Sequence, residues 1–309
     1  MVSVVVPTKD RAQLLDQTLR SIAEQRRPPA AVIVADDGST DDTAAVVEGH
    51  GATLVRNPEG GWGAAGARNA GLERVETELV AFVDSDDLLL PGALAALADG
   101  LAGAADAPFA FGQGLSAARN GSGWTPHGLI HPAPAELRAL AGSLYARNSV
   151  PSSGALVRTG HARAIGGFDA GLTYVEDQDF WVRLALRGEP VHVPELVCVY
   201  RIHPENRHAP TTARLDAERV TALSAGEPRL AAQVPERLGV ELCEVTIAAI
   251  KARRPAEAAR AGVRLLGRRP RAATLRRVVR HFRDRRSWNR EGAEVWRRRG
   301  ELREWLASY

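Results

Sequence analysis

The chain has 309 residues, 45% of them hydrophobic, and a formal net charge of +3, enough apolar content for one large buried domain or two smaller ones. Two cysteines, Cys198 and Cys243, exclude a disulfide framework and lack a zinc-like spacing, which fits a reducing compartment. With no run of about 18 apolar residues and no basic leader before "MVSVVVPTKDR", neither a membrane span nor a signal peptide is expected, and the cytoplasm is the expected location.

The first hundred residues alternate strand and helix signals. "VSVVVP" (2–7) is a continuous apolar run, as in a strand buried on both faces. Leu14, Leu15, Leu19 and Ile22 then follow helical spacing over 11–26, with Asp10 as a plausible N-cap. "AVIVADD" (31–37) is a second strand, and "STDDTAAVVEGH" starts a helix with Ser39 or Thr40 near its cap. "ATLVRN" (52–57), the helix "GAAGARNAGLERV" and the strand "ELVAFVD" (78–84) complete a βαβαβαβ order. That order predicts a parallel sheet covered by helices, with ligands beyond the carboxyl ends of its strands. "PTKDR", "ADDGSTDD" and "DSDD" all fall there.

"AFVDSDDLLLP" (81–91) puts three carboxylates, Asp84, Asp86 and Asp87, at the end of an apolar strand. Two charges about 4 Å apart repel by roughly 1 kcal/mol in water. The side chains either splay into solvent or gather around a divalent cation. "GWGAAG" (61–66) matches a glycine fingerprint for dinucleotides. However, "NPEG" separates it from its strand, and the first strand ends without glycine.

Residues 108–175 mix short strands with Gly- and Pro-containing turns. "VEDQDFWVRLALRG" (175–188) reads as a helix whose start holds Asp177 and Asp179, both favoured there by the helix dipole. Phe180 and Trp181 read as core. "PVHVPELVCVYRIHPEN" supplies one or two strands and a loop, and from about 211 the pattern is helical. Charge is segregated: residues 251–309 carry +13 and the first 250 carry −10. In "TLRRVVRHF", Leu275, Val278, Val279 and Phe282 form an apolar stripe among arginines, with Trp288, Trp296 and Trp305 beyond. The stripe suits packing on the main domain or between subunits as a homodimer, or contact with an anionic membrane surface. No nucleic-acid recognition motif accompanies the charge.

Taken in order, "VSVVVPTKDR", "VIVADDGSTDDT", "GARNAGL", "FVDSDD", "GGFDAGLTYVEDQDFWVRLALRG" and "YRIHPEN" resemble the family 2 glycosyltransferases, inverting enzymes of the GT-A fold. The resemblance covers residues 2–206. It implies an α/β fold with a Rossmann-like, mainly parallel central sheet and a C-terminal helical extension. Residues 1–210 would form the GT-A domain, with a nucleotide-sugar half (about 1–105) and an acceptor half (about 106–210), and 211–309 an Arg-rich helical region.

By the same resemblance, Pro7 and Thr8 would line the nucleotide pocket, and Asp37, with Asp36 beside it, would bind base and ribose. Arg68 and Asn69 would border the donor site. Asp84 and Ser85 would face the donor, Asp86 and His203 would hold a divalent metal (Mn²⁺ or Mg²⁺), and Asp177 would be the catalytic base. Lys9-Asp10 stands where many relatives carry an aromatic or Asn-containing turn.

The expected activity is hexosyl or N-acetylhexosaminyl transfer from a nucleoside-diphosphate sugar, with UDP-sugar favoured. The acceptor would be an unidentified hydroxyl compound, such as a lipid-linked molecule or a secondary metabolite. A lipid-linked acceptor would suit peripheral contact of the basic region with the inner membrane surface. Two alternatives stand beside this reading. One is a non-catalytic sugar-nucleotide-binding protein on the same scaffold, and the other is a nicotinamide-dependent oxidoreductase.

Overall fold

The structure, a computed structural model, describes residues 1–121, 123–132, 136–138, 140–146, 148–173, 175–204, 206, 227–231 and 289–309. Its first strands are β1 (Val2–Thr8), β2 (Ala31–Asp36), β3 (Thr53–Arg56) and β4 (Leu79–Phe82), separated by helices α1 (Ala12–Ala23), α2 (Thr43–Gly49) and α3 (Gly63–Glu73). They lie parallel in the order β3-β2-β1-β4. Successive strands therefore step outward from β1 to β3, and the chain then crosses to the other side of β1. At such a reversal the loops after neighbouring strands diverge and leave a crevice.

The sheet continues through β5 (Leu88–Leu89), β6 (Phe109–Asn120), β8 (Ala155–Arg158) and β9 (Val191–Ile202), with β7 (Gly123–Ile130) paired only to β6. Antiparallel pairing joins β4 to β8 and β8 to β6, whereas β6 and β9 run parallel. The segment "PVHVPELVCVYRIHPEN" thus forms one strand of 12 residues. Helices α4 (Ala93–Ala102), α5 (Leu140–Ala146), α6 (Thr159–Ala164) and α7 (Glu176–Ala185) complete the layers.

Alternation along β1 explains the two cores. Val5 joins Phe82, Phe109, Phe168, Phe180 and Trp181 on one face. Val4 and Val6 join Leu15, Leu19, Leu94 and Leu97 on the other. Both faces of the strand are buried, as its uninterrupted apolar run requires. Helix α3 reaches β1 closely because Gly71 faces Val5, where any Cβ would collide with the valine methyl.

Two expected caps are placed differently. Asp10 does not cap α1: its carboxylate accepts from Thr40 N at 2.7 Å and Thr40 Oγ1 at 3.1 Å. Ala12 N instead donates to Asp41 Oδ2 at 2.9 Å. Nor do Ser39 or Thr40 cap α2, which begins at Thr43, whose N–H and hydroxyl both donate to Asp41 Oδ1. One carboxylate therefore serves two helix starts, an arrangement that local spacing does not reveal.

A third apolar cluster joins Leu302 and Leu306 of the helix Gly300–Ala307, together with Tyr309, to Leu88, Leu115 and Val199. Trp296 and Trp305 pack against it, so this part of the basic region lies on the main domain. The stripe 275–282, Trp288 and Cys243 lie outside the described residues. Among the described residues no helix is long and apolar enough to cross a membrane.

Candidate active site

The crevice at the ends of β1, β2 and β4 is a cavity of about 400 Å³. Of the expected residues, Pro7, Thr8, Asp37, Arg68, Asp84, Ser85, Asp86 and Asp177 line it. They come from five separate stretches of the chain, and the sheet order brings them together.

The three carboxylates after β4 take different partners. Asp84 Oδ1 accepts from Arg68 Nη2 at 2.6 Å. Asp86 Oδ2 meets Arg11 Nη1 and lies 3.1 Å from His203 Nε2. Asp87 turns inward, where Oδ2 accepts from Ser153 Oγ at 2.6 Å and Oδ1 from Arg201 N at 3.2 Å. Burial, reinforced by the like charges of Asp86 and Asp84, pushes the Asp87 carboxyl well above the usual carboxylate range. Its place is structural, and it does not line the cavity.

Arg68 is buried and bridges two acids, with Nη1 donating to Glu176 Oε1 at 3.0 Å. Burial alone would lower its pKa, but Asp84 and Glu176 outweigh that and raise it. The guanidinium is a fixed cation on the cavity wall. Glu176 is a cavity residue that the sequence reading missed, although it adjoins the expected base. Burial raises its carboxyl despite the opposing Arg68, and Asp177 raises it further.

Asp177 is half-buried at the start of α7 and opens to the cavity. Its Oδ2 accepts from Asn148 Nδ2 at 2.8 Å and Ser152 Oγ at 2.9 Å, and Oδ1 from Gln178 N at 2.7 Å. Burial is the largest influence on its carboxyl and raises the pKa; Arg68, Ser152 and Gln178 N oppose it. Such a group is oriented, ionisable and more basic than a surface aspartate. Asp179, two residues on, pairs with Arg183 at 2.6 Å, and Arg183 in turn donates to the carbonyls of Ile165 and Gly167. It fastens the helix to the preceding loop.

At the other end, Asp37 accepts from Trp62 N at 2.7 Å and Gly63 N at 3.1 Å. A dinucleotide-binding protein would seat its pyrophosphate on a helix start of this kind; here a carboxylate fills it, which disfavours the nicotinamide alternative. Asp36 is fully buried and faces away, bonded to Ser39 and ion-paired to Arg56 at 3.1 Å. Asn69 also points elsewhere, donating to Phe168 O and accepting from Phe168 N, each at 2.8 Å. Neither lines the cavity, nor does His203, which contacts two residues that do, Asp86 and Asn206.

No group of three or more His, Cys, Asp or Glu among the described residues is placed to hold a metal ion. A cation bound partly by substrate phosphates needs only one or two protein ligands. Asp86 and His203 have the chemistry for that. Asn206 Oδ1 accepts from His203 N at 2.6 Å, so its amide NH₂ faces Nε2 at 3.1 Å. Asp86 Oδ2 and His203 Nε2 lie 3.1 Å apart, which matches the ligand-to-ligand spacing, about 3 Å, around an octahedral ion bonded at roughly 2.1 Å.

Comparison with known proteins bears on the same region. The family model described as Glycosyl transferase family 2 matches residues 3–150. Among solved structures, S. aureus TarS aligns with a TM-score of 0.58 and 24% identity, covering 78% of this chain and 42% of that longer one. TarS 1-349 in complex with UDP-GlcNAc aligns with a TM-score of 0.58 and 17% identity, covering 86% and 92%. The mannosyltransferase PcManGT from Pyrobaculum calidifontis, in complex with GDP-Man and Mn²⁺, aligns with a TM-score of 0.59 and 21% identity, covering 94% and 85%. At these identities the likeness is one of fold. No curated protein matches in sequence.

Proposed function

The chain belongs to glycosyl transferase family 2 through residues 3–150 and has the GT-A fold, and from that premise we propose that it transfers a sugar from a nucleoside-diphosphate sugar to an acceptor hydroxyl with inversion. The observation that carries this reading is the shared cavity. An oriented, half-buried carboxylate, Asp177, opens onto the same 400 Å³ space as Asp37, Arg68, Asp84 and Asp86. One end suits a nucleotide and the other suits proton removal.

In this proposal Asp37 and the Pro7–Thr8 edge receive the nucleoside. Arg68 fixes Asp84 against the donor. The acceptor oxygen attacks the anomeric carbon on the face opposite the diphosphate, the carbon–oxygen bond to the diphosphate breaks, and the hydroxyl proton passes to Asp177. A single carboxylate suffices for that displacement; a retaining hydrolase would need two flanking one bond. Asp86 and His203 would hold a divalent cation, which when bound stabilises negative charge on the departing diphosphate.

The neighbours named above carry UDP-GlcNAc or GDP-Man, which supports a uracil or guanine nucleotide as donor carrier. We propose UDP-sugar as the first candidate and a hexosyl or N-acetylhexosaminyl group as cargo. A lipid-linked compound or secondary metabolite, peripheral membrane contact and a homodimer belong to the same proposal.

Thermal stability with UDP, GDP, CDP and ADP, each with and without Mn²⁺, tests the reading. A ligand at 100 times its Kd stabilises the fold by about 2.7 kcal/mol, a visible shift. The expected outcome is a rise with one nucleoside diphosphate that requires Mn²⁺. No shift with any nucleotide would refute it. A shift with nucleotide but no transfer or donor hydrolysis would favour the non-catalytic binding protein.

A further inference from the structure

The acidic loop after β4 holds its carboxylates in unequal ways. Asp84 is held by Arg68, which is almost fully buried and also spans to Glu176. Asp87 is buried and held by Ser153 Oγ and Arg201 N. The Arg201 side chain is locked as well, bonding the carbonyls of Asp86 and Leu14, the Gln17 amide oxygen and the Thr18 hydroxyl. Asp86 differs. The cation on its carboxylate is Arg11, whose side chain retains 21% exposure at the cavity edge, against 6% for Arg68.

Arg11 and His203 converge on one oxygen, Oδ2 of Asp86. A divalent ion bonded to that oxygen would bring a second cation against the guanidinium, and the two would repel strongly. The loop that carries Arg11 is built for separate aiming of its charges. Asp10 adopts φ +49°, the sole non-glycine residue with positive φ among those described. Its N–H donates to Ser39 Oγ at 2.8 Å and its carboxylate holds Thr40. Through that bend Lys9 approaches Asp37 (4.0 Å), while Arg11 is sent to Asp86.

We propose that Arg11 is an exchangeable occupant of the cation site: it neutralises Asp86 until the metal arrives with the nucleotide, then releases Oδ2 and pairs with the donor's diphosphate. The idea rests on the donor-and-metal reading above. The exchange links the two ligands physically. The metal gains Asp86 only at the expense of the guanidinium, and the diphosphate supplies that guanidinium with a new anion, so each ligand helps the other bind.

Mn²⁺ binding, followed by water-proton relaxation on the full chain without and with UDP or GDP, tests it. Arg11→Gln is expected to bind Mn²⁺ alone about tenfold more tightly than the parent, the scale of one released charge-assisted hydrogen bond. In Mn²⁺ it should bind the nucleoside diphosphate about tenfold more weakly. Lys9→Gln removes the same charge from the same loop, so it measures the through-space effect, expected to be under about twofold. Matching circular dichroism spectra confirm that both variants fold. Equal Mn²⁺ shifts in the two variants, or no tightening in Arg11→Gln, would overturn the exchange alone. If no variant binds Mn²⁺ with or without nucleotide, while Asp86→Asn behaves like the parent, the metal reading falls and the exchange with it.

Discussion

Carboxylates two or three residues apart in this chain acquire different chemistry from their partners. Asp177 and Asp179 share a helix start, yet Asp179 is tied to Arg183 while Asp177 is held by two neutral side-chain donors, Asn148 and Ser152, and opens to the cavity. A general base typically contributes about 10²–10⁴-fold, so Asp177→Asn should cut transfer by that factor with donor binding intact. Asp179→Asn should keep transfer and lose roughly 1 kcal/mol of stability, since Arg183 retains its carbonyl acceptors. Initial rates and nucleotide titrations of the pair check this. Near-normal transfer in Asp177→Asn would remove it from the mechanism. The pH dependence has a definite sign. Burial raises the Asp177 carboxyl above its ordinary value of 3.8, and only the ionised form accepts a proton. Transfer should therefore fall as pH drops through that raised pKa, and Asp177→Asn should abolish this acid limb.

At the scale of elements, the contact of α3 with β1 positions Arg68 and the Asp37-capped helix start. That contact depends on Gly71. In an exposed helix, Gly→Ala stabilises by roughly 0.8–1.0 kcal/mol through propensity. Here the added Cβ meets Val5, and overpacking typically costs about 1–3 kcal/mol. Gly71→Ala is expected to lower the melting temperature, with packing prevailing over propensity, and to weaken donor binding because Arg68 moves with the helix. An unchanged or higher melting temperature would show that α3 shifts freely. The "DGS" turn is constrained likewise: Gly38 has φ +83°, and a Cβ there would lie 2.9 Å from Gly60 N.

Across the whole molecule, the C-terminal helix and the acidic loop after β4 are joined by a chain of contacts. Tyr309 O accepts from Gln17 Nε2 at 2.8 Å and from Arg119 Nη1 at 2.7 Å. Gln17 also accepts from Arg201, which bonds the carbonyl of Asp86. Burial lowers the Arg201 pKa to about 10, so it remains charged near neutrality and keeps those bonds. Leu306 is fully buried in the third cluster. Leu306→Ala should cost about 2–5 kcal/mol and, by loosening this chain, weaken Mn²⁺-dependent nucleotide binding. Loss of stability with full nucleotide affinity would confine the helix to a packing role.

The alternating order of the first eighty residues and the apolar runs of β1, β2 and β4 determined the parallel half of the sheet, because strands buried on both faces tolerate few polar residues. The resemblance to the family 2 glycosyltransferases, rather than that pattern, pointed to Pro7, Thr8, Asp37, Arg68, Asp84, Ser85, Asp86 and Asp177; all but Arg68, which sits within α3, lie at or just beyond strand or helix ends. Other features lay beyond reach. Whether Asp36 or Asp37 faces the crevice is a matter of which direction the backbone turns after β2. Asp10 looked like a cap because local spacing cannot show that Asp41 reaches Ala12. Glu176 gained its place only when the fold brought it within reach of Arg68 on α3. Partner choice among charges is decided by distances of a few ångströms between residues far apart in the chain, and those distances exist only once the sheet has assembled.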